Sequence, residues 1–365
     1  NRRAVEHVLA TGLAIDAGIA PVTRWDRKNY FYPDLPKGYQ ISQFDQPLAT
    51  GGVLAAGHRS VGITRVHMEE DAGKSIHDRF SGATAIDLNR AGVPLIEIVS
   101  EPDMRSAADA GAYLRALKQL LEYVDVSDVS MEEGSLRVDA NISVRLHGSA
   151  EFGTKTEVKN MNSFSGVEHA LETEFVRQCA LVEAGGTVEQ QTMLWDGAAA
   201  EVRPARSKEG SHDYRYFPEP DLPPLVLAPE HIGRIRDTLP ELPAARRARY
   251  AEAFGLGAYD VKVLTASPRV AEYFEATVAA HGDAKAAANW VMGEVLGALK
   301  TSGGDIAGFP IDPPRLAALL GLVRDGVVSH TAAKRIFGIM LASLATYLLA
   351  AYPPRYVFLV GVLPA

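Results

Sequence analysis

The chain of 365 residues holds a single cysteine, Cys179. A lone thiol excludes an intrachain disulfide and a cysteine-rich zinc site, and it fits a reducing compartment. Positive charge is not in excess either: 37 Lys and Arg stand against 45 Asp and Glu, a formal net charge of -8. That argues against a generally basic nucleic-acid binder, although a local basic patch can still dock RNA. Neither a P-loop nor a GxGxxG run occurs, so any nucleotide site must be of an uncommon kind. Long apolar runs are scarce. The most membrane-like stretch, Gly338 to Tyr352, is broken by Pro353-Pro354 and falls short of the about 20 apolar residues a spanning helix needs. We read it as a buried helix. The opening Asn1-Arg2-Arg3 has no Met and no apolar signal region, so the sequence is expected to begin inside a longer polypeptide.

Hydrophobic residues make up 47% of the chain, enough for a sizeable core and two or three domains. Residues 4–17 read as a helix. Strands are predicted at Ser60 to Glu70, Val93 to Val99, Ser135 to Val144 and Gly153 to Lys159. Helices are predicted from Ala107 to Tyr123, with Ser106 as N-cap and Asp109 closing a capping box, and from Ser165 to Ala184, ending at Gly185-Gly186. This irregular alternation predicts an α+β fold with a mixed or antiparallel sheet, not a doubly wound parallel one. Prolines 218, 220, 223, 224 and 229 mark a boundary. The expected organisation is an α+β cradle over residues 1–228, a helical domain over 229–300, and a small helical tail over 309–365.

The segment Val93-Pro94-Leu95-Ile96-Glu97-Ile98-Val99 sets one acid in an apolar strand. Apolar residues on both faces predict an interior strand, where an ionised carboxylate needs a cation, a metal or hydrogen-bond donors. Pairing with Arg or Lys to fix the strand register is the alternative. Period-two reading supplies three companions. If Val66 and Met68 face the core, Glu70 points inward with them and Glu69 points outward with Arg65 and His67. Asp139 shares a polar face with Arg137, Asn141 and Ser143, and Glu157 sits between Lys155 and Lys159. Gathered on one sheet, Glu70, Glu97, Asp139 and Glu157 would favour Mg²⁺ or Ca²⁺ over zinc. Lys155, Lys159 and Arg137 would then hold phosphate oxygens, the usual equipment of phosphoryl transfer. A solvated face with cross-strand ion pairs is the other reading.

Further signals are weaker. His67 is either a metal ligand or a surface residue beside Arg65. Asp71-Ala72-Gly73-Lys74 loosely resembles a phosphate-binding turn. The stretch His212 to Asp221 either lines a ligand cleft or packs at the domain boundary. Arg246, Arg247 and Arg249 form either a solvated helix face or an RNA contact.

Longer stretches resemble a known family. They are Asp26-Arg27-Lys28-Asn29-Tyr30-Phe31-Tyr32-Pro33-Asp34, Tyr39 to Gln43, Gly62 to Gly73 and Asp87 to Asp103. Met131-Glu132-Glu133-Gly134-Ser135-Leu136-Arg137, Lys159-Asn160-Met161-Asn162-Ser163-Phe164 and Asp213 to Pro224 continue the match. Together they resemble the GatB subunit of the aspartyl/glutamyl-tRNA amidotransferases over nearly all of residues 1–340. The resemblance implies ATP-dependent phosphorylation of Glu on misacylated tRNA(Gln), or Asp on tRNA(Asn). Ammonia from the glutaminase (amidase) subunit then travels an internal channel and displaces the phosphate, and a small third subunit belts the complex. It also implies metal-binding acids at Glu70, Glu97, Asp139 and Glu157, and a channel position at Lys37. We take ATP and Mg²⁺ as cofactors, Lys155 and Lys159 as catalytic cations, and Tyr30, Tyr32 and Arg137 as contacts to substrate or tRNA. The expected compartment is the cytoplasm or an organelle matrix, without a membrane partner. Two departures stand out: family members carry a further acid and histidine before this chain's first residue, and a longer charged tail where Leu341 to Ala365 is short and apolar. Other functional classes are a non-catalytic adaptor presenting tRNA and a small-molecule carboxylate–amine ligase.

Overall fold

The computed structural model describes residues 1–80, 82–205 and 214–351, and its longest strand, Arg59–Glu70, runs for 12 residues. β-Branched residues recur along it, and Val61, Ile63 and Val66 are fully or almost fully buried. Its neighbours are all antiparallel: Ala49–Thr50, Val53–Ala56, Tyr39–Ser42 and Pro94–Ser100. The sheet continues from Tyr39–Ser42 through Asp26–Asn29 to Phe217–Pro218. The helix Arg2–Ala14 covers it with Val8 and Leu9, and Gly12 permits the contact, since an added Cβ would stand 2.9 Å from that of Ala49.

A second sheet joins Ala140–Ile142, Thr156–Lys159, Thr192–Asp196 and Glu201–Pro204, with one parallel pair among antiparallel ones. The fold is therefore α+β with antiparallel and mixed sheets. The strand expected at Ser135 to Val144 shrinks to Ala140–Ile142, and that expected at Gly153 to Lys159 shrinks to Thr156–Lys159. Local turn bonds take up the first: the Ser130 N–H donates to Ser135 Oγ at 2.9 Å, and the Leu136 N–H to the Ser130 carbonyl at 3.0 Å.

Two helices pack together beside these sheets. Ala107–Tyr123 begins at Ser106, whose hydroxyl accepts the Asp109 N–H. The Asp109 carboxylate does not close a capping box on Ser106; it accepts the Arg105 N–H at 2.9 Å and pairs with Arg59 at 2.6 Å. Phe164–Glu183 is capped by Ser163 and pinned to the second sheet by a buried polar group. Thr156 and Gln178 each donate to Glu174 Oε1 at 2.8 Å, and Arg177 holds both Glu174 oxygens at 2.7 Å.

The chain folds as two compact units, Asn1–Pro240 and Glu241–Ala365. The proline-rich segment is stitched into the first unit, where sequence reading put a boundary. Phe217–Pro218 pairs with Asp26–Asn29, and Leu225–Val226 pairs with Val22–Thr23. Proline cannot donate to a ladder, which suits it to such edges. Both oxygens of Glu219 bond Arg27 at 2.8 Å.

The second unit is helical, from Pro243–Phe254 to His330–Ala351. One core joins Tyr250, Phe274, Trp290, Leu316, Leu320 and Phe337, so the stretches read as a helical domain and a tail share their packing. Arg246 and Arg249 are neither a solvated face nor an open basic patch: both pair with Glu241 and Glu275. No helix among the described residues is long and apolar enough to cross a membrane. Residues 352–365, including Phe358 to Gly361, lie outside the described residues, as do His212 and Asp213.

Burial alone raises the Glu174 carboxyl, but the bonds from Arg177, Gln178 and Thr156 outweigh it and hold it below the ordinary value of 4.5. Stability from this group is complete above that pH and is lost as pH falls through the folded value. Glu174→Gln should cost about 1–3 kcal/mol at neutral pH and flatten the acid limb of a thermal-melt series. Phe274→Ala should cost about 3–5 kcal/mol in denaturant titrations.

Candidate active site

Register builds the site. Antiparallel pairing sets Glu97 opposite His67, Leu95 opposite Glu69 and Val99 opposite Arg65. Opposed residues share a face, and so do alternate residues along one strand. Arg65, His67 and Glu69 therefore line up on the face that also carries Glu97. Ligand atoms of His67, Glu69 and Glu97 all lie within 4.8 Å of one another. His67 Nε2 is 3.3 Å from Glu69 Oε1 and 3.7 Å from Glu97 Oε2. His67 and Glu69 are buried, while the Glu97 side chain is 43% exposed and forms the open side of the group.

The neighbouring strand Tyr39–Ser42 fixes Glu69. Ser42 sits directly opposite it and donates to Oε1 at 2.7 Å. The Gln40 amide donates to Oε2 at 2.9 Å and to the Glu70 carbonyl at 2.7 Å, so both its hydrogens are used. Burial pushes the Glu69 carboxyl up, but bonds from His67 and Ser42 and the field of Lys28 prevail, and it stays below the usual carboxylate range.

Aromatic rings surround this group. Phe44 meets His67 edge-on at 6.2 Å and stacks on Tyr216 at 5.5 Å. Tyr214 links Tyr216 to Tyr30, which contacts Tyr32, and Lys28 lies 5.1 Å over the Tyr214 ring. Burial, reinforced by Asp34 and Glu69, pushes the Tyr30 phenol up to about 12. Tyr30 and Tyr32 thus belong to one wall with Tyr214 and Tyr216, the part of the 212–221 stretch that is described.

The four carboxylates expected together are separated. Glu97 and Glu70 belong to the first sheet, but Glu70 is opposite Pro94, an odd number of residues from the His67–Glu97 pair. Its carboxylate is taken by the Lys37 ammonium and by the Ile41 N–H at 2.9 Å. Glu157 belongs to the second sheet and Asp139 immediately precedes its strand Ala140–Ile142; Lys159 bonds Asp139 at 2.9 Å and lies 3.3 Å from Glu157. Burial would lower the Lys159 ammonium, but those two acids hold it above its usual range. Lys155 is exposed. Arg137 pairs with Asp71 at 2.9 Å, beside a cavity of about 420 Å³ lined by Lys74, Asp87, Arg90 and the Met131–Gly134 turn. The Gly73 N–H is spent on the Asp34 carbonyl at 2.8 Å, so the turn at Asp71 offers no free phosphate nest there. Lys37 also lies 4.7 Å over the Tyr39 ring.

Sequence reading turned Glu69 outward and left His67 between a metal ligand and a surface residue, whereas the structure buries both. The signal was present: Val61 and Ile63 are buried at odd positions, and the same alternation reaches His67 and Glu69. Val66 and Met68 pointed the other way because Val66 is buried too. The edge strand was also read as interior, yet Pro94–Ser100 pairs only with Arg59–Glu70 among the described strands, and none of its residues is buried.

One imidazole nitrogen and two carboxylates make an open donor set that suits a divalent cation, the remaining positions going to water or substrate oxygens. His67 Nδ1 is buried and has no hydrogen-bond partner among the described residues, so the ring is not committed to another protein group through that atom. The residues fit such a metal.

A model of the GatB/GatE catalytic domain matches residues 1–233, and one of the GatB domain matches 272–347. The chain belongs to the GatB family. GatB relatives are similar along most of its length. The GatB subunit of the aspartyl/glutamyl-tRNA(Asn/Gln) amidotransferase of Chlorobium limicola is 52% identical over 344 residues, covering 93% of this chain and 72% of the relative. The protein of the same name from Moorella thermoacetica is 53% identical over 349 residues, 94% of this chain and 73% of the relative. The whole His67–Glu69–Glu97 group falls inside the stretch that matches the GatB/GatE catalytic domain.

Ser42→Ala should leave one oxygen of buried Glu69 short of a donor and cost about 1–3 kcal/mol by denaturant titration. Ser42→Thr, which keeps the hydroxyl, should cost less.

Proposed function

We propose that this chain is the carboxylate-activating component of a tRNA-dependent amidotransferase. Its substrate is Glu on misacylated tRNA(Gln) or Asp on tRNA(Asn), its phosphoryl donor is ATP, and it works in the cytoplasm or an organelle matrix. The observation that carries this reading is the His67–Glu69–Glu97 group within the segment matched by the catalytic-domain model. The names of relatives 52% identical over 93% of the chain supply the substrate class.

The chemistry has a simple logic. Ammonia cannot displace hydroxide from a carboxylate at a useful rate, because hydroxide is a poor leaving group. A side-chain carboxylate oxygen therefore attacks the γ-phosphorus of ATP and ADP departs. Ammonia then adds to the carbonyl carbon, loses a proton and expels inorganic phosphate, leaving the amide. A bound Mg²⁺ supplies neutralisation of phosphate charge, and His67, Glu69 and Glu97 would hold it. Ser42 and Gln40 keep Glu69 in one orientation without rearrangement during the reaction. The rings of Tyr30, Tyr214, Tyr216 and Phe44 stand beside the group, where a bound substrate would complete a wall against water and protect an acyl-phosphate from hydrolysis.

In this reading the ammonia source is the amidase subunit, the small belting subunit is the third partner, and Lys37 lines the ammonia route. Its ammonium is held by Glu70 and the Tyr39 ring. Lys37→Ala should lower glutamine-driven amidation more than amidation driven by added ammonium.

The decisive experiment uses the reconstituted complex with ATP, misacylated tRNA and ammonium as nitrogen donor. Glu69→Gln and His67→Ala should each lower formation of amidated tRNA about 100-fold or more, and should weaken Mn²⁺ binding measured by electron paramagnetic resonance. Undiminished turnover in both variants would sink the catalytic reading and favour an adaptor that only presents tRNA. Full ATP turnover with a free amino acid and no tRNA would instead favour a small-molecule ligase.

A further inference from the structure

Arg65 behaves unlike the other half-buried arginines of the first unit. Arg24, Arg27, Arg59, Arg90 and Arg177 each form an ion pair with a carboxylate. Arg65 makes no ion pair among the described residues, although it stands two positions from His67 on the face that carries Glu69 and Glu97. Its guanidinium lies 4.5 Å over the Phe44 ring. Its Nε is buried and has no hydrogen-bond partner among the described residues. The Tyr216 phenol is pushed up by burial and by Glu69, Tyr214 and Glu97, with Arg65 opposing, so Arg65 shares that neighbourhood with the two acids.

A guanidinium whose Nε is withdrawn from water and left unpaired is costly, and the cost is tolerable where a partner arrives with the ligand. Stacking on Phe44 fixes the plane of the group and leaves its N–H edge open. That edge matches two oxygens of a carboxylate or a phosphoryl group, which an ammonium cannot match in the same bidentate way.

We propose that Arg65 binds a substrate oxyanion through the open edge of its guanidinium. The oxyanion is either the side-chain carboxylate to be activated or the phosphoryl group moving onto it. The assignment rests on the carboxylate activation proposed above and adds the residue that aligns the reacting anion, with Phe44 as its positioning residue.

The test uses the reconstituted complex with ammonium as nitrogen donor. Arg65→Ala should lower kcat/KM about 100-fold while leaving the thermal midpoint close to that of the parent complex. Added guanidinium ion should restore at least about a tenth of the loss on a logarithmic scale, and Arg65→Lys should restore only part of the activity. A rise in KM for misacylated tRNA with KM for ATP unchanged assigns the carboxylate. A rise in KM for ATP, or a fall in kcat with both KM values unchanged, assigns the phosphoryl group. Full activity of Arg65→Ala beside an inactive Glu69→Gln overturns this inference and leaves the proposed function standing. Full activity of both overturns the two together. A lowered melting point with no rescue by guanidinium reduces Arg65 to a packing partner of Phe44 and also overturns the inference.

Discussion

Sliding Pro94–Ser100 by one residue along Arg59–Glu70 would turn Glu97 away from His67 and scatter the polar group over two faces of the sheet. The pairing therefore decides whether a site exists at all. Contacts on the far side of the long strand hold it in place. Ser42 is aligned with Glu69, Ala49 with Val66, and Gln43 accepts the Met68 N–H at 3.0 Å. Buried Val61 and Ile63 anchor its other end. The irregularity between Val99 and Ser100 falls beyond the polar group and leaves its register intact.

Much of this was legible in the residues. The helices Ala107–Tyr123 and Phe164–Glu183 announced themselves through caps and period, and Glu97 was singled out because an acid in an apolar strand demands a partner. Which partner it has was not legible. Alternation gives faces but not which face is inner, and Val66 buries on the side opposite His67, so the wrong face looked apolar. Nor can a strand pattern tell which sheet a strand joins. Asp139 and Glu157 fitted the charge logic of one shared site, yet Ala140–Ile142 and Thr156–Lys159 pair in another sheet and settle their charge on Lys159.

Two polar groups differ in how far their charges are matched. In the second unit Arg246 and Arg249 converge on Glu241 and Glu275, and the Tyr250 hydroxyl donates to Glu275 at 2.8 Å. These two arginines and two glutamates pair with one another beside the buried Tyr250 of the helical core. Around His67 the polar side chains are held from behind by Ser42 and Gln40 but keep atoms without a counterpart. A closed network stabilises; an open one is prepared to receive.

The pair Arg27–Glu219 joins positions 192 residues apart, and Phe217–Pro218 completes the sheet at the same place. Such a closure gives the first unit a high contact order, and the sheet edge at Asp26–Asn29 waits for its last strand until residue 219 has left the ribosome. Until then the nascent chain carries an unpaired strand edge and an uncompensated Arg27. The interval between synthesis of the long strand and arrival of Glu219 is thus the period in which this protein is most exposed to aggregation, and in which a chaperone would be most useful to it.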